Sequence, residues 1–215
     1  KLNKYTKWNF DYLDSYEFKE QNLSWSEALK KFPVYKDKKN IWELNRFNWA
    51  PLLAKKSNDH EDAGYLLEIL IDKWFSENKP FSGINWSCGQ ETSIRALNLI
   101  MTFHIINRDN DPSQKFIDLI HLHCLRIQQT YLYGYSQEND HCTSEGAALY
   151  LGGSLIKKYR PYEKYCLKFI KTGKWLLENR ANKLFFEDGG SNQYSINYHR
   201  VILDTYCFVE AFIRI

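Results

Sequence analysis

The sequence predicts an all-α fold, because apolar residues recur every three to four positions along most of it and strand signals are nearly absent. Clusters of turn-forming residues separate the periodic stretches. Short helices are expected at about 24–32, where Ser24-Trp25-Ser26-Glu27 has capping-box spacing, and at about 43–56. The next stripe places Ala63, Leu66, Leu67, Leu70, Ile71 and Trp74 on one face, with Ser57-Asn58-Asp59 positioned to cap it. Two more uniformly apolar segments, 91–107 and 143–158, read as inner helices covered on several sides. Between them Phe116, Ile120, Cys124, Ile127 and Tyr131 form a stripe after Pro112, which suits a first helical turn. Pro161 is expected to open the helix carrying Tyr162, Tyr165, Cys166, Phe169, Ile170, Leu176 and Leu177. The last stripe holds Tyr198, Ile202, Tyr206, Val209 and Ile213. Gly152-Gly153 inside an apolar helix costs about 1 kcal/mol per glycine against alanine, so close approach of a neighbouring helix is the expected compensation. Leu184-Phe185-Phe186, ahead of Glu187-Asp188-Gly189-Gly190, is the one short strand candidate.

The connections Asn78–Gln90, Arg108–Asp111, Tyr133–His141 and Arg180–Ser195 are unequal in length. The long ones are rich in polar and aromatic residues, and long loops on a rigid scaffold are where function usually sits. Successive helices joined this way imply stacked antiparallel hairpins. A chain of 215 residues suits one domain over 1–215 that buries roughly 70% of its unfolded surface.

Composition narrows the function. Hydrophobic residues make up 44% and charged residues 26%, a globular rather than a disordered balance. With 29 basic and 26 acidic residues, the net +3 gives no electrostatic footprint for nucleic acid. Most of the 13 Phe, 15 Tyr and 7 Trp must be core, leaving a minority to line a sugar site. The five cysteines are widely spaced without a CxxC pair, so they indicate neither a disulfide framework nor a zinc knuckle. His121 and His123 point to different faces of a helix, and no metal or cofactor is expected; GxGxxG and GxxxxGK are absent. No apolar run reaches the ~18 residues of a membrane span. KLNKYTKWNF lacks the apolar region of a signal peptide, although a start without Met is compatible with a removed leader.

Polar groups concentrate in three places where the periodicity stops. In the first, Gly83 to Glu91 followed by Arg95, Glu91 and Arg95 stand i,i+4 at a helix start and can pair. Trp86 is then either a sugar platform beside Gln90 and Glu91 or a buried ring. In the second, Asn139-Asp140-His141-Cys142-Thr143-Ser144-Glu145, the carboxylate of Glu145 can orient His141 from one helix face. An N-cap with an ordinary satisfied histidine is the alternative. The third runs from Glu187 to Arg200 and includes Gln193, Tyr198, His199 and Arg200. A tyrosine becomes a usable base when nearby cations or hydrogen bonds favour its phenolate, and Tyr198 adjoins His199 and Arg200. Its alternative is an amphipathic tyrosine at a helix start.

Taken together, Ile41-Trp42-Glu43-Leu44-Asn45-Arg46-Phe47, Asn85-Trp86 with Gln90-Glu91 and Arg95, Asn139-Asp140-His141 with Glu145, and Glu187 through Arg200 resemble the N-terminal helical domain of heparinase II/III polysaccharide lyases. The resemblance runs from about residue 40 to 205. It implies an incomplete (α/α) toroid, usually followed by a β-sandwich domain, and a periplasmic or secreted setting. It also implies β-elimination at a uronic acid of an anionic polysaccharide. A neutral amide and a histidine neutralise the C5 carboxylate, and a tyrosine removes the neighbouring proton or protonates the leaving oxygen. On this chain those roles fall on Asn139, His141 and Tyr198. Asp140, Trp86, Gln90, Glu91, Arg95, Glu145, Gln193, His199 and Arg200 would shape the cleft.

Two departures matter. Asp140 stands where the family commonly has the asparagine that contacts the substrate carboxylate, and an ionised aspartate there repels a uronate by about 1 to 4 kcal/mol. The chain also contains no β-rich second domain. A non-catalytic carbohydrate-binding domain is therefore a competing expectation. A toroid glycoside hydrolase using Glu187 or Asp188 with Asp140 is another, and hydrolysis requires the two carboxylates about 5 to 9.5 Å apart.

Overall fold

The computed structural model describes residues 6–106 and 114–213. Their regular secondary structure is helical apart from one two-stranded hairpin and two isolated bridges, so the all-α expectation holds. Packing groups the chain into two compact units, Lys1–Pro112 and Ser113–Ile215.

In the first unit, the hairpin pairs β1 (Phe10–Asp11) with β2 (Tyr16–Glu17). Its turn is closed by Asp11 Oδ1, which accepts from the backbone of Leu13 and Asp14 at 2.9 and 3.0 Å. Two residues per strand are too few for a period-two signal, which is why the hairpin was illegible in the sequence. Helix α1 (Trp25–Lys31) carries the expected capping box between Ser24 and Glu27. The helix expected at 43–56 is two helices, α2 (Lys39–Asn45) and α3 (Trp49–Lys56). Between them Phe47 takes φ +65°, a left-handed conformation through which no right-handed helix continues. Its ring is buried edge-on to Trp74 at 5.1 Å, and that packing holds the break. Helix α4 (Glu61–Glu77) begins after His60 without a side-chain cap. The expected cap Ser57 instead closes α3, its hydroxyl donating to the Ala54 carbonyl at 2.7 Å. A 3-10 turn (Ile84–Trp86) leads into α5 (Gly89–Ile106), the first of the two expected inner helices.

The second unit contains α6 (Gln114–Ser136), α7 (Asp140–Tyr159), α8 (Cys166–Leu184) and α9 (Ile196–Ile213). The Arg108–Asp111 connection and the first-turn role of Pro112 lie outside the described residues. Helix α7 is the inner element, with α6, α8 and α9 all packed against it. Gly153 does what its cost predicted: a Cβ there would lie 2.9 Å from Phe169 Cβ and 3.0 Å from the Cys166 carbonyl of α8. Pro161 does not open α8. Pro161 and Tyr162 lie in a turn closed by Glu163 N–H donating to Arg160 O at 3.0 Å, Tyr162 is exposed, and the helix starts at Cys166. The strand candidate at 184–186 yields a single bridge, Phe185 to Ser191, closing a turn in which Gly189 has φ +84°. All five cysteines are free: Cys124, Cys142 and Cys166 are buried, Cys88 is half-buried and Cys207 is exposed. Among the described residues no helix is long and apolar enough to cross a membrane.

Candidate functional site

In the first unit, Ile41–Phe47 and Asn85–Arg95 are brought together, and they form interior rather than surface. Asn45 Nδ2 donates to the Trp8 carbonyl at 2.8 Å, and its Oδ1 accepts from Trp74 Nε1 at 2.6 Å. Arg95 donates to the carbonyls of Asn45 and Asn85 at 3.1 and 2.9 Å. Its guanidinium lies 4.5 Å from the Trp74 ring centre and 5.3 Å from that of Trp86. Buried polar groups persist only when hydrogen-bonded, and these bonds hold the Asn45 amide and the Arg95 guanidinium at the helix junctions.

Of the two alternatives for Trp86, the fold takes the buried ring and not the sugar platform. Its ring is 0% exposed and its indole N–H donates to the Asn78 carbonyl at 3.1 Å, so no face is open to a sugar. Arg95 and Gln90 are likewise buried. Glu91 is held by Arg46, whose Nε and Nη2 donate to its two oxygens at 2.7 and 2.8 Å. Arg46 lies 45 residues from Glu91 in the chain, so their pairing has no local signature in the sequence and only the fold brings them together.

In the second unit, the other two polar clusters meet. Asn139 is the N-cap of α7, its Oδ1 accepting from His141 N–H at 3.1 Å. Asp140 follows in the first turn, where a carboxylate is favoured by the exposed N–H groups. Gln193 Nε2 donates to Asp140 Oδ1 at 3.2 Å, and Asn192 Nδ2 donates to the Glu138 carbonyl at 3.2 Å. These two bonds fasten the segment leading into α9 to the start of α7. Both fastened turns are bent by non-glycine residues at positive φ, Glu138 at +51° and Tyr194 at +49°. Tyr198 lies in the first turn of α9 and is 47% exposed; His141 is half-buried in the first turn of α7. His199 packs its ring 5.6 Å from Phe185, and Arg200 is exposed. A cavity of about 320 Å³ opens between this loop and α9, lined by Phe186, Asp188, Ser191, Tyr194 and His199 among others.

The i,i+4 spacing of His141 and Glu145 does not produce a hydrogen bond. Glu145 is turned toward α6, where a Cβ on Gly134 would lie 2.6 Å from its Oε2, and that oxygen is buried without a hydrogen-bond partner. Burial pushes its carboxyl up to about 8, against the opposing pull of Arg126. Of the hydrolase pair, Asp188 Oδ1 accepts from Gly190 N–H at 2.9 Å and serves the turn. Among the described residues no group of three His, Cys, Asp or Glu is placed to hold a metal ion.

A family model described as "Heparinase II/III N-terminus" matches residues 3–213. No curated protein and no solved structure matches the chain.

Proposed function

Because the chain belongs to the heparinase II/III N-terminal family, we propose that it is the helical, incomplete (α/α) toroid domain of a polysaccharide lyase. Its substrate is then an anionic polymer containing uronic acid, cleaved by β-elimination. The observation that carries the reading is the fastening of Gln193 to Asp140 and of Asn192 to Glu138. It gives packed neighbours, α7 and α9, the first turns that bear His141 and Tyr198.

In this reading His141 and the Nδ2 group of Asn139 face the C5 carboxylate, since Oδ1 of Asn139 is occupied as a cap. Neutralising that carboxylate acidifies the C5 hydrogen. Tyr198 takes the proton or delivers one to the glycosidic oxygen as the C4–O bond breaks and a C4–C5 double bond forms. A β-sandwich domain of the kind that follows this domain in the family would add further cleft groups. The test is turnover of polyuronates, followed by the ultraviolet absorbance of the new double bond. Tyr198→Phe is expected to abolish that signal with helix content unchanged, and an unaltered rate would remove the mechanism.

Asp140 favours a second reading. A carboxylate at the amide position repels a uronate, which suits a domain that holds polysaccharide without cleaving it. Saturable glycan binding with no unsaturated product would select that reading.

A further inference from the structure

The outer face of α8 has no part in the site above, yet its composition is unlike that of the rest of the chain. Between Cys166 and Leu184 the helix carries five basic residues and one acid, and its exposed charges alone net +3, equal to that of all 215 residues. Four of the five are exposed; the fifth, Arg180, is buried. The single acid, Glu178, is paired with Lys174 at 3.6 Å. At 100° per residue, Lys168, Lys171, Trp175 and Asn182 fall within about 40° of one line along the helix.

Trp175 is the unexpected member of that stripe. A large indole normally withdraws into the core, but this one is 43% exposed on the basic face. It is also not loose. Its ring stacks on Tyr135 of α6 with centroids 4.8 Å apart and planes at 29°. The Arg180 guanidinium lies 4.5 Å from the same Tyr135 ring, and Lys183 Nζ lies 5.9 Å from it. Stacking and cation–π attraction together fix the orientation of the indole. Lys183 in turn pairs with Glu138 at 3.6 Å, in the turn that precedes Asn139 and His141. The last turn of α8, toward which the stripe runs, is thus tied beside the candidate site.

We infer that this face is an accessory track for an anionic polysaccharide, an assignment that rests on the proposed function and extends it. Trp175 offers a flat apolar surface to the C–H face of a sugar ring, and Lys168 and Lys171 pair with carboxylate or sulfate groups on the same strand. From Lys168 to Asn182 the stripe extends about 21 Å, the length of several sugar rings. A chain lying on the track gains avidity from a second point of attachment.

The experiment compares the whole chain with Trp175→Ala and with Lys168→Glu/Lys171→Glu, titrating each with an alginate disaccharide and with long alginate. Circular dichroism checks that the helices are intact; the double variant leaves the ring stack untouched. The expected result is a loss of roughly tenfold in affinity for long alginate in both variants, with disaccharide affinity unchanged. Unchanged affinity for long alginate overturns the track and leaves the lyase reading standing. Equally tight binding of neutral amylose by the wild type also overturns it. If the wild type binds neither alginate, the track and the reading beneath it both fail.

Discussion

Glu145 carries a pH dependence that its burial makes readable. Its folded carboxyl is raised from 4.5 to about 8, so between those values the unfolded chain releases a proton that the folded chain keeps. Stability from this group is then fully present below about 4.5 and declines as pH rises toward 8. Glu145→Gln is expected to flatten that decline and to stabilise the protein by roughly 1–3 kcal/mol at neutral pH. Urea denaturation between pH 5 and 8 checks both, and a wild-type curve that rises across the window would contradict the assignment. Arg46 works in the opposite sense. Removing it leaves the Glu91 carboxylate buried without its bidentate partner, so Arg46→Ala should cost about 3 kcal/mol. Arg46→Lys should recover little of this, because a single ammonium cannot reproduce the fork. Denaturant midpoints of the two variants decide the matter.

Among the elements, the tightest junction is that of α7 with α8. A Cβ on Gly173 would lie 2.6 Å from the Gly146 carbonyl oxygen and would also meet the backbone of Tyr150. Backbone cannot step aside as a side chain does, so Gly173→Ala should cost at least about 2 kcal/mol. Gly189→Ala is the contrasting case: a Cβ there would meet no atom within 4 Å, and only its positive φ opposes the change. Measured melting temperatures should separate the two, with Gly173→Ala the lower. Helices of this kind were legible because each buries a continuous stripe, and Leu67, Ile71 and Trp74 kept the period they showed in the sequence. What stayed hidden was set by single residues answering to distant partners. Phe47 breaks a helix to reach Trp74, and Ser57 caps the helix before it rather than the one after. The same holds at the site. Asn139, Asp140 and Gln193 were legible as polar residues at helix starts, whereas the Gln193–Asp140 bond spans 53 residues and has no local signature. Trp86 stayed open between two readings because a tryptophan among polar residues looks alike in sequence whether it faces sugar or core.

For the whole molecule, the family match runs through both compact units without interruption, which supports our proposal that residues 1–215 fold as one domain. One calorimetric transition with equal calorimetric and van't Hoff enthalpies is the expected outcome, and two resolved transitions would divide the chain. The cysteines offer an independent view of the same event. Cys124, Cys142 and Cys166 are buried in the second unit, where burial pushes the Cys142 thiol up to about 12 and raises the Cys124 thiol as well. A sulfur sealed in the interior is inert to an alkylating reagent until its surroundings open. These three atoms thus make a built-in clock: timed alkylation read by mass would report how often the second unit breathes, with Cys207 on its surface as the unprotected reference and no foreign label required.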